Sequence, residues 1–274
     1  MKKFMAFTMS ALMLVSVAAC AKTNDAEETT AAETEAVETT VAETEAAETT
    51  VAETEVAETE AEETEAVETE VQTVDAMTYA DYVAADMDAE VVIDAYVMDT
   101  QSWWDDQITV YLADEDGAYF CYNMTCSEED SALLIPGAEI IVTGYKSEWS
   151  GEVEIVDATF EYVGQTDIAF VATDVTEFLG TDDLINYQNQ FVSFTDMTVV
   201  SVAFKNDEPG DDIYVTLSKD DAEYSFCLEY YLNGSDEDFY ALVSGLEADQ
   251  VVDVEGYLYW YEGANTHITS VTVK

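Results

Sequence analysis

Three consecutive stretches decide how this chain folds: ITVYLADEDGAYFCYNM (108–124), SEEDSALLIPG (127–137) and AEIIVTGYKSEWSGEVEI (138–155). Ile108, Val110 and Leu112 fall at every second position, the period of a half-buried strand. Asp114-Glu115-Asp116-Gly117 reads as a hairpin turn into a second strand. Ser127 then caps a helix with acids in its first turn, and Pro136-Gly137 stops it. Strands at Glu139–Lys146 and Gly151–Tyr162 follow, joined by Ser147–Ser150. The same order returns about a hundred residues later as IYVTLSKDDAEYSFCLEYY (213–231), SDEDFYALVSG (235–245) and VVDVEGYLYWYEGANTHI (251–268). Gly144-Tyr145 answers Gly256-Tyr257, and Gly151 answers Gly263. One small β-rich unit is therefore used twice.

Working outward, the first unit spans 77–164 and the second 165–274. Thr78 caps a short helix over Tyr79–Ala85, and AEVVIDAYVMDT (89–100) reads as the first strand, with Val92, Asp94 and Tyr96 on one face. The second unit opens with helical turns at Asp174–Leu179 and Asp182–Tyr187, then a strand at Phe191–Val202 and the loop KNDEPGDD (205–212). Ser235 is expected to cap its helix, which runs through Ser244. Each unit thus orders as β-β-β-α-β-β, which resembles the OB-fold, a partly open five-stranded Greek-key barrel. The resemblance implies a mainly β protein of two tandem barrels, each with a helix between its third and fourth strands. An immunoglobulin-like sandwich is the alternative, and it explains two helices at equivalent places less well. The stretch from the Tyr79 helix through GEVEIVDATF (151–160) also resembles domains of envelope lipoproteins of gut Firmicutes, a family with no agreed chemistry to transfer.

The N-terminal part reads differently. Lys2-Lys3, the apolar run Phe4–Val17 and Val17-Ala18-Ala19-Cys20 form a secretory leader, too short to cross a bilayer as a helix. Small residues before a cysteine at this distance resemble the bacterial lipobox. That resemblance implies that residues 1–20 end at a lipidated Cys20, a membrane anchor on the extracytoplasmic face of the cell. An ordinary signal peptide with an incidental Cys20 is the alternative. Residues 21–76 carry pentads such as ETTAA, ETEAV and ETTVA. Five is a poor period: in a helix each pentad turns its apolar pair by about 140°, and in a strand it flips the pair to the other face. With repeated Glu and no aromatic, the segment is expected to be a disordered tether with a coil span of about 40 Å.

The chain of 274 residues has a formal net charge of −54, with 61 acids against 7 basic residues, all lysine. After residue 76 only Lys146, Lys205, Lys219 and Lys274 offset the acids. On that ground nucleic acid is not expected as a partner. There is no HExxH, P-loop or GxGxxG, and the one histidine, His267, reads as a solvent-facing strand residue rather than a catalytic base. A non-enzymatic protein without a cofactor is expected. Asp207, Glu208, Asp211 and Asp212 form a loose Ca2+ candidate, since a hard cation takes several oxygens from a flexible loop. Cys121, Cys126 and Cys227 leave an odd remainder and read as packing residues, with a Cys121–Cys126 clip as the alternative.

The aromatic residues point to a ligand surface. Trp103 and Trp104 fall between the first two strands, and Trp149 between the last two, the loops that frame the groove of an OB-fold. Lys146, on the Trp149 hairpin, would set a cation beside those rings. Two functions follow. One is a binding module for a glycan or other small extracellular molecule, with Trp103, Trp104, Trp149 and Lys146 as its site. The other is an interaction or scaffold lipoprotein that contacts an envelope protein and takes no small ligand. Exposed rings beside a cleft favour the first, and a mutually packed tryptophan cluster favours the second.

Overall fold

The computed structural model of the chain describes residues 75–274. The leader, Cys20 and the pentads of the tether lie outside the described residues. The first unit begins with α1 (Tyr79–Ala84), whose N-cap Thr78 accepts a hydrogen bond from the Asp81 amide. It continues through β1 (Glu90–Thr100), β2 (Gln107–Ala113), β3 (Ala118–Thr125), α2 (Glu128–Ser131), β4 (Ala138–Trp149) and β5 (Glu152–Gln165). The strands close in the order β1-β2-β3-β5-β4, with β1 antiparallel to β4 and β3 parallel to β5 at Cys121 and Ile155. Alternation sends Val91, Ile93, Ala95 and Val97 of β1 into the barrel, where Leu112, Tyr119, Ile140 and Ile155 meet them. α1 covers one end of this core, with Tyr79 and Tyr82 packed edge-on against Tyr119. A side chain at Gly117 would collide with the Tyr79 ring.

The second unit repeats the plan. A short β6 (Thr173–Asp174) lies parallel to β7 (Phe191–Phe204). Then come β8 (Ile213–Lys219), β9 (Ala222–Leu228), α3 (Tyr230–Asn233), α4 (Glu237–Ser244), β10 (Val251–Tyr257) and β11 (Asn265–Val273). The sheet runs β10-β11-β9-β8-β7-β6, and β10 pairs back onto β7. Strands β7 to β11 therefore form a ring in the order of the first barrel, with β9 again parallel to β11. Closed rings of this order exclude the sandwich and establish the expected mainly β fold.

The structure shifts several elements. α2 is a single turn, because Leu134 leaves the helical path to bury in the first core well before Pro136. The cap of α4 is Asp236 rather than Ser235, its carboxylate accepting from the amides of Asp238 and Phe239. The β4–β5 connection is only Ser150-Gly151, both at positive φ, so Trp149 is the last residue of a strand and not part of a loop. All three cysteines are free and buried, so the Cys121–Cys126 clip is not formed.

The repeated glycines have a shared cause. Pairing slips a register beside each of them, between Thr143 and Tyr145 on β4 and between Glu255 and Gly256 on β10. These bulges bend the fourth strand to close the ring, and the partner strand then lies too near for a side chain. A Cβ at Gly144 would sit 2.6 Å from Ile155, and one at Gly256 would collide with the His267 carbonyl. Gly256→Ala is expected to cost about 3 kcal/mol and to lower Tm by roughly 6–12 °C in thermal unfolding. Gly164→Ala, with open space around it, is the control and should be near neutral.

The barrels meet through their outer faces. Met98, Tyr111, Ala118 and Phe120 of the first barrel pack with Leu232 and Tyr257 of the second. A second contact ties the β4–β5 hairpin to the segment before β7: Gln188 donates to the Gly151 carbonyl at 2.8 Å and Asn189 to that of Val153 at 3.0 Å.

Candidate functional site

Beside this seam lies a cleft of about 890 Å³. Its first wall is the outer face of β2 and β3, with Thr109, Phe120, Tyr122 and Asn123, and the turn that carries Trp104. Its second wall comes from β8, β9, α3, the segment between β10 and β11 and the start of β11, with Tyr214, Ser225, Tyr231, Tyr259, Tyr261 and Asn265. Seven aromatic rings line it together with amides, hydroxyls and the charged groups of Lys205, Asp212 and Glu229.

Trp104 owes its place to a tight turn. Asp105 and Asp106 both adopt positive φ (49° and 60°), and Trp104 and Gln107 exchange backbone hydrogen bonds of 2.9 and 3.0 Å across them. This is the pattern of a type I′ hairpin turn, in which short acidic residues tolerate the left-handed region. Trp104 is 76% exposed on it. Trp103 packs against the first core, and its Nε1 donates to the Cys126 carbonyl at 2.8 Å. Adjacent tryptophans thus do different things, one presenting a ring to the cleft and the other fastening the loop.

The cleft floor is a chain of buried polar groups. Gln101 Nε2 donates to the Tyr111 hydroxyl at 3.4 Å, and that hydroxyl lies 2.6 Å from His267 Nδ1. Tyr259 stacks on the imidazole at 4.3 Å between centroids, and Tyr257 stacks on Tyr111 at 4.4 Å. Burial pushes the His267 pKa down to about 3, so the ring is neutral at physiological pH. At the rim Glu229 accepts from the Leu232 amide at 2.7 Å, and burial, then the neighbouring Asp212 charge, pushes its carboxyl up to about 7. Burial likewise raises the Cys227 thiol well above the usual range, which leaves it a protonated and poor nucleophile.

The expected site residues separate. Trp104 lines the cleft; Trp103, Trp149 and Lys146 do not. Lys146 is corrected most sharply. Its amine is buried and donates to the carbonyls of Tyr82, Val83 and Ala85 at 2.9, 2.8 and 2.9 Å, so it closes the C-terminal end of α1 rather than offering a cation to a ligand. Trp149 is exposed at the hairpin tip, and the adjacent Gly151 lies against Trp260, with 2.7 Å between a built Cβ and the indole. In the acidic loop, Asp211 and Asp212 converge on Lys205 at 3.2 and 3.0 Å, and Asp212 also accepts from the Tyr230 amide. The hydrogen bond from the Asp212 amide, and then the Lys205 amine, hold the Asp211 carboxyl below its usual range. Asp207 and Glu208 stay exposed on a 3-10 turn, so two of the four Ca2+ candidates already hold a cation of the protein itself.

His267 is also corrected. It is 6% exposed rather than solvent-facing. Its strand phase does point out of its own barrel, but the other barrel covers that face. Lys205 and the tyrosines of β8 and β10–β11 were missed for the same reason, because each sits on a face that becomes a wall only when two barrels dock, and Asp212, expected as a Ca2+ ligand, lines that wall instead.

No family model and no curated protein matches the chain. Solved structures do. A crystal structure of a HINb domain is 12% identical, covering 69% of this chain and 100% of that one, with a TM-score of 0.33. A murine DNA-binding protein bound with double-stranded DNA is 9% identical over 66% and 94% of the two chains, with a TM-score of 0.34. A replication protein A heterotrimer bound to single-stranded DNA is 12% identical over 68% and 49%, with a TM-score of 0.29. The exclusion of nucleic acid as a partner, drawn from net charge, is corrected by this finding, since structures similar to this chain carry DNA.

Proposed function

We propose that the protein is a non-enzymatic binding module, anchored at the outer face of a bacterial membrane through Cys20, that takes an uncharged glycan into the cleft between its two barrels. The observation that carries this reading is the cleft itself, about 890 Å³ lined by aromatic rings together with amide and hydroxyl groups, its one amine, Lys205, paired with Asp212. Its volume is that of a small-molecule site. Flat rings such as Trp104 and Tyr261 stack on the apolar faces of sugar rings, while Asn123, Asn265 and Ser225 reach their hydroxyls. A neutral His267 and a protonated Cys227 suit binding better than catalysis. Residues 21–76 would hold the module away from the membrane.

The test is a glycan array probed with the full chain. Neutral oligosaccharides are expected to bind, and Trp104→Ala to leave the array blank. A blank array with the wild type, together with capture of an envelope protein or a shift of single-stranded oligonucleotide, would overturn the reading. The anchor has its own test: Cys20→Ala is expected to move the protein from the membrane pellet to the soluble fraction. Unchanged membrane association would contradict it.

A further inference from the structure

His267 lines the cleft floor, and the hydrogen bonds around it determine which of its nitrogens carries the proton. Gln101 spends an N–H on the Tyr111 oxygen, so Tyr111 turns its own O–H toward His267 Nδ1, 2.6 Å away. Nδ1 is then the acceptor, and the proton sits on Nε2, which makes no hydrogen bond with the described residues. Tyr259 stacked on one face holds the ring plane. Tyr111 packs on Tyr257, whose hydroxyl lies 3.4 Å from Asp99, so the relay is braced from both barrels. A ring fixed in plane and in tautomer presents one polar atom to whatever enters, and that atom is a donor.

Resting on the glycan reading above, we infer that His267 is the specificity-determining residue of the cleft, donating its Nε2–H to an uncharged acceptor oxygen, either a sugar hydroxyl or an N-acetyl carbonyl. A neutral donor gives an anion no charge assistance, and Lys205, the one amine on that wall, is already paired with Asp212. An acceptor that fails to reach Nε2 leaves a desolvated N–H unpaired, which is how a polar site rejects an analogue lacking the matching group. The titratable groups facing the ring are Tyr111 of β2, Tyr259 of the β10–β11 connection and Cys227, its register partner on β9. None supplies a negative charge at neutral pH that would hold a proton on Nδ1.

The chain contains one histidine, so an imidazole 15N spectrum of the histidine-labelled full chain reads this ring alone. The wild type is expected to show the Nε2–H tautomer, unchanged between pH 5 and pH 8. Tyr111→Phe, which removes the donor to Nδ1, is expected to give a tautomer mixture. Chitotetraose and N-methylacetamide, as acceptor probes, are expected to shift the Nε2 line. His267→Phe, which keeps the stack on Tyr259, is expected to weaken chitotetraose roughly tenfold. An Nδ1–H tautomer, or titration at the ordinary histidine pKa, would overturn the inference. So would chitotetraose binding with an unmoved Nε2 line, and the function proposed for the cleft would survive that result. If chitotetraose fails to bind, the glycan reading falls, and N-methylacetamide then decides: a shifted Nε2 line upholds the donor, an unmoved one removes it.

Discussion

Lys146→Met is expected to destabilise the fold by about 4 kcal/mol and to lower Tm by on the order of 10 °C. The methionine keeps the apolar stem and removes the amine. Lys146 is 4% exposed, and its amine donates three hydrogen bonds to the end of α1 and lies 5.2 Å above the Tyr82 ring. Carbonyls in the last turn of a helix lack their usual partners; here that of Tyr82 has a 3.2 Å bond from the Ala85 amide besides the amine, and its bond to the amine is buried. Removing a charged donor to three of them costs about 1.5–3 kcal/mol for each hydrogen bond lost, before relaxation. α1 also closes the end of the first barrel through Tyr79 and Tyr82, so its loosening should open that core. Thermal unfolding checks this directly. An unchanged Tm would mean that the amine is solvated, and would return Lys146 to the list of ligand-binding candidates.

Glu152→Gln should act in the opposite direction and only at high pH. Glu152 is fully buried between the hairpin tips of the two barrels. Its Oε2 accepts from the Trp260 amide at 2.7 Å and from Gln188 at 3.1 Å, while Oε1 has no partner. Burial pushes its carboxyl up to about 8, against the pull of those hydrogen bonds and with help from the Glu154 charge. Below the ordinary carboxylate pKa of about 4.3 the group is protonated in folded and unfolded chains alike, and it carries no penalty. As pH rises from there to about 8 the unfolded chain ionises and the folded one does not, so the stability present in acid is progressively lost. At about 1.4 kcal/mol per pH unit the loss reaches several kcal/mol once the folded group ionises as well. The glutamine variant is therefore expected to melt well above the wild type at high pH and to match it near pH 4. Parallel pH profiles for the two proteins would show that Glu152 ionises freely and that the seam is wet.

These two residues also mark what the sequence discloses. Ala138, Ile140, Val142, Gly144 and Lys146 share one strand phase, and the first three fill the barrel. Read to its end, that phase places Lys146 inside with them and Trp149 outside, so this correction was legible. The paired Gly-Tyr of the two fourth strands likewise announced the bulges that close both rings. Glu152 and Glu154 alternate with Val153 and Ile155, so their outward phase was visible too, but the surface they meet was not. The same holds for Thr109, Tyr111 and His267. Alternation says which face of a strand leaves its own barrel; it does not say whether water or a second barrel lies beyond. The cleft belongs to the docking of two units, and that docking rests on scattered outer-face residues such as Met98, Phe120, Leu232 and Tyr257, which carry no period of their own.

The central claim, that the cleft between the barrels is the binding site, is tested most directly by titrating a bound oligosaccharide against Trp104→Ala and Trp149→Ala by calorimetry. Trp104 lines the cleft and Trp149 does not, although both rings are exposed and neither anchors a core. Trp104→Ala is expected to weaken binding by about 1–3 kcal/mol and Trp149→Ala to leave it unchanged. Loss of binding in Trp149→Ala with full affinity in Trp104→Ala would contradict the claim and move the site to the hairpin tip.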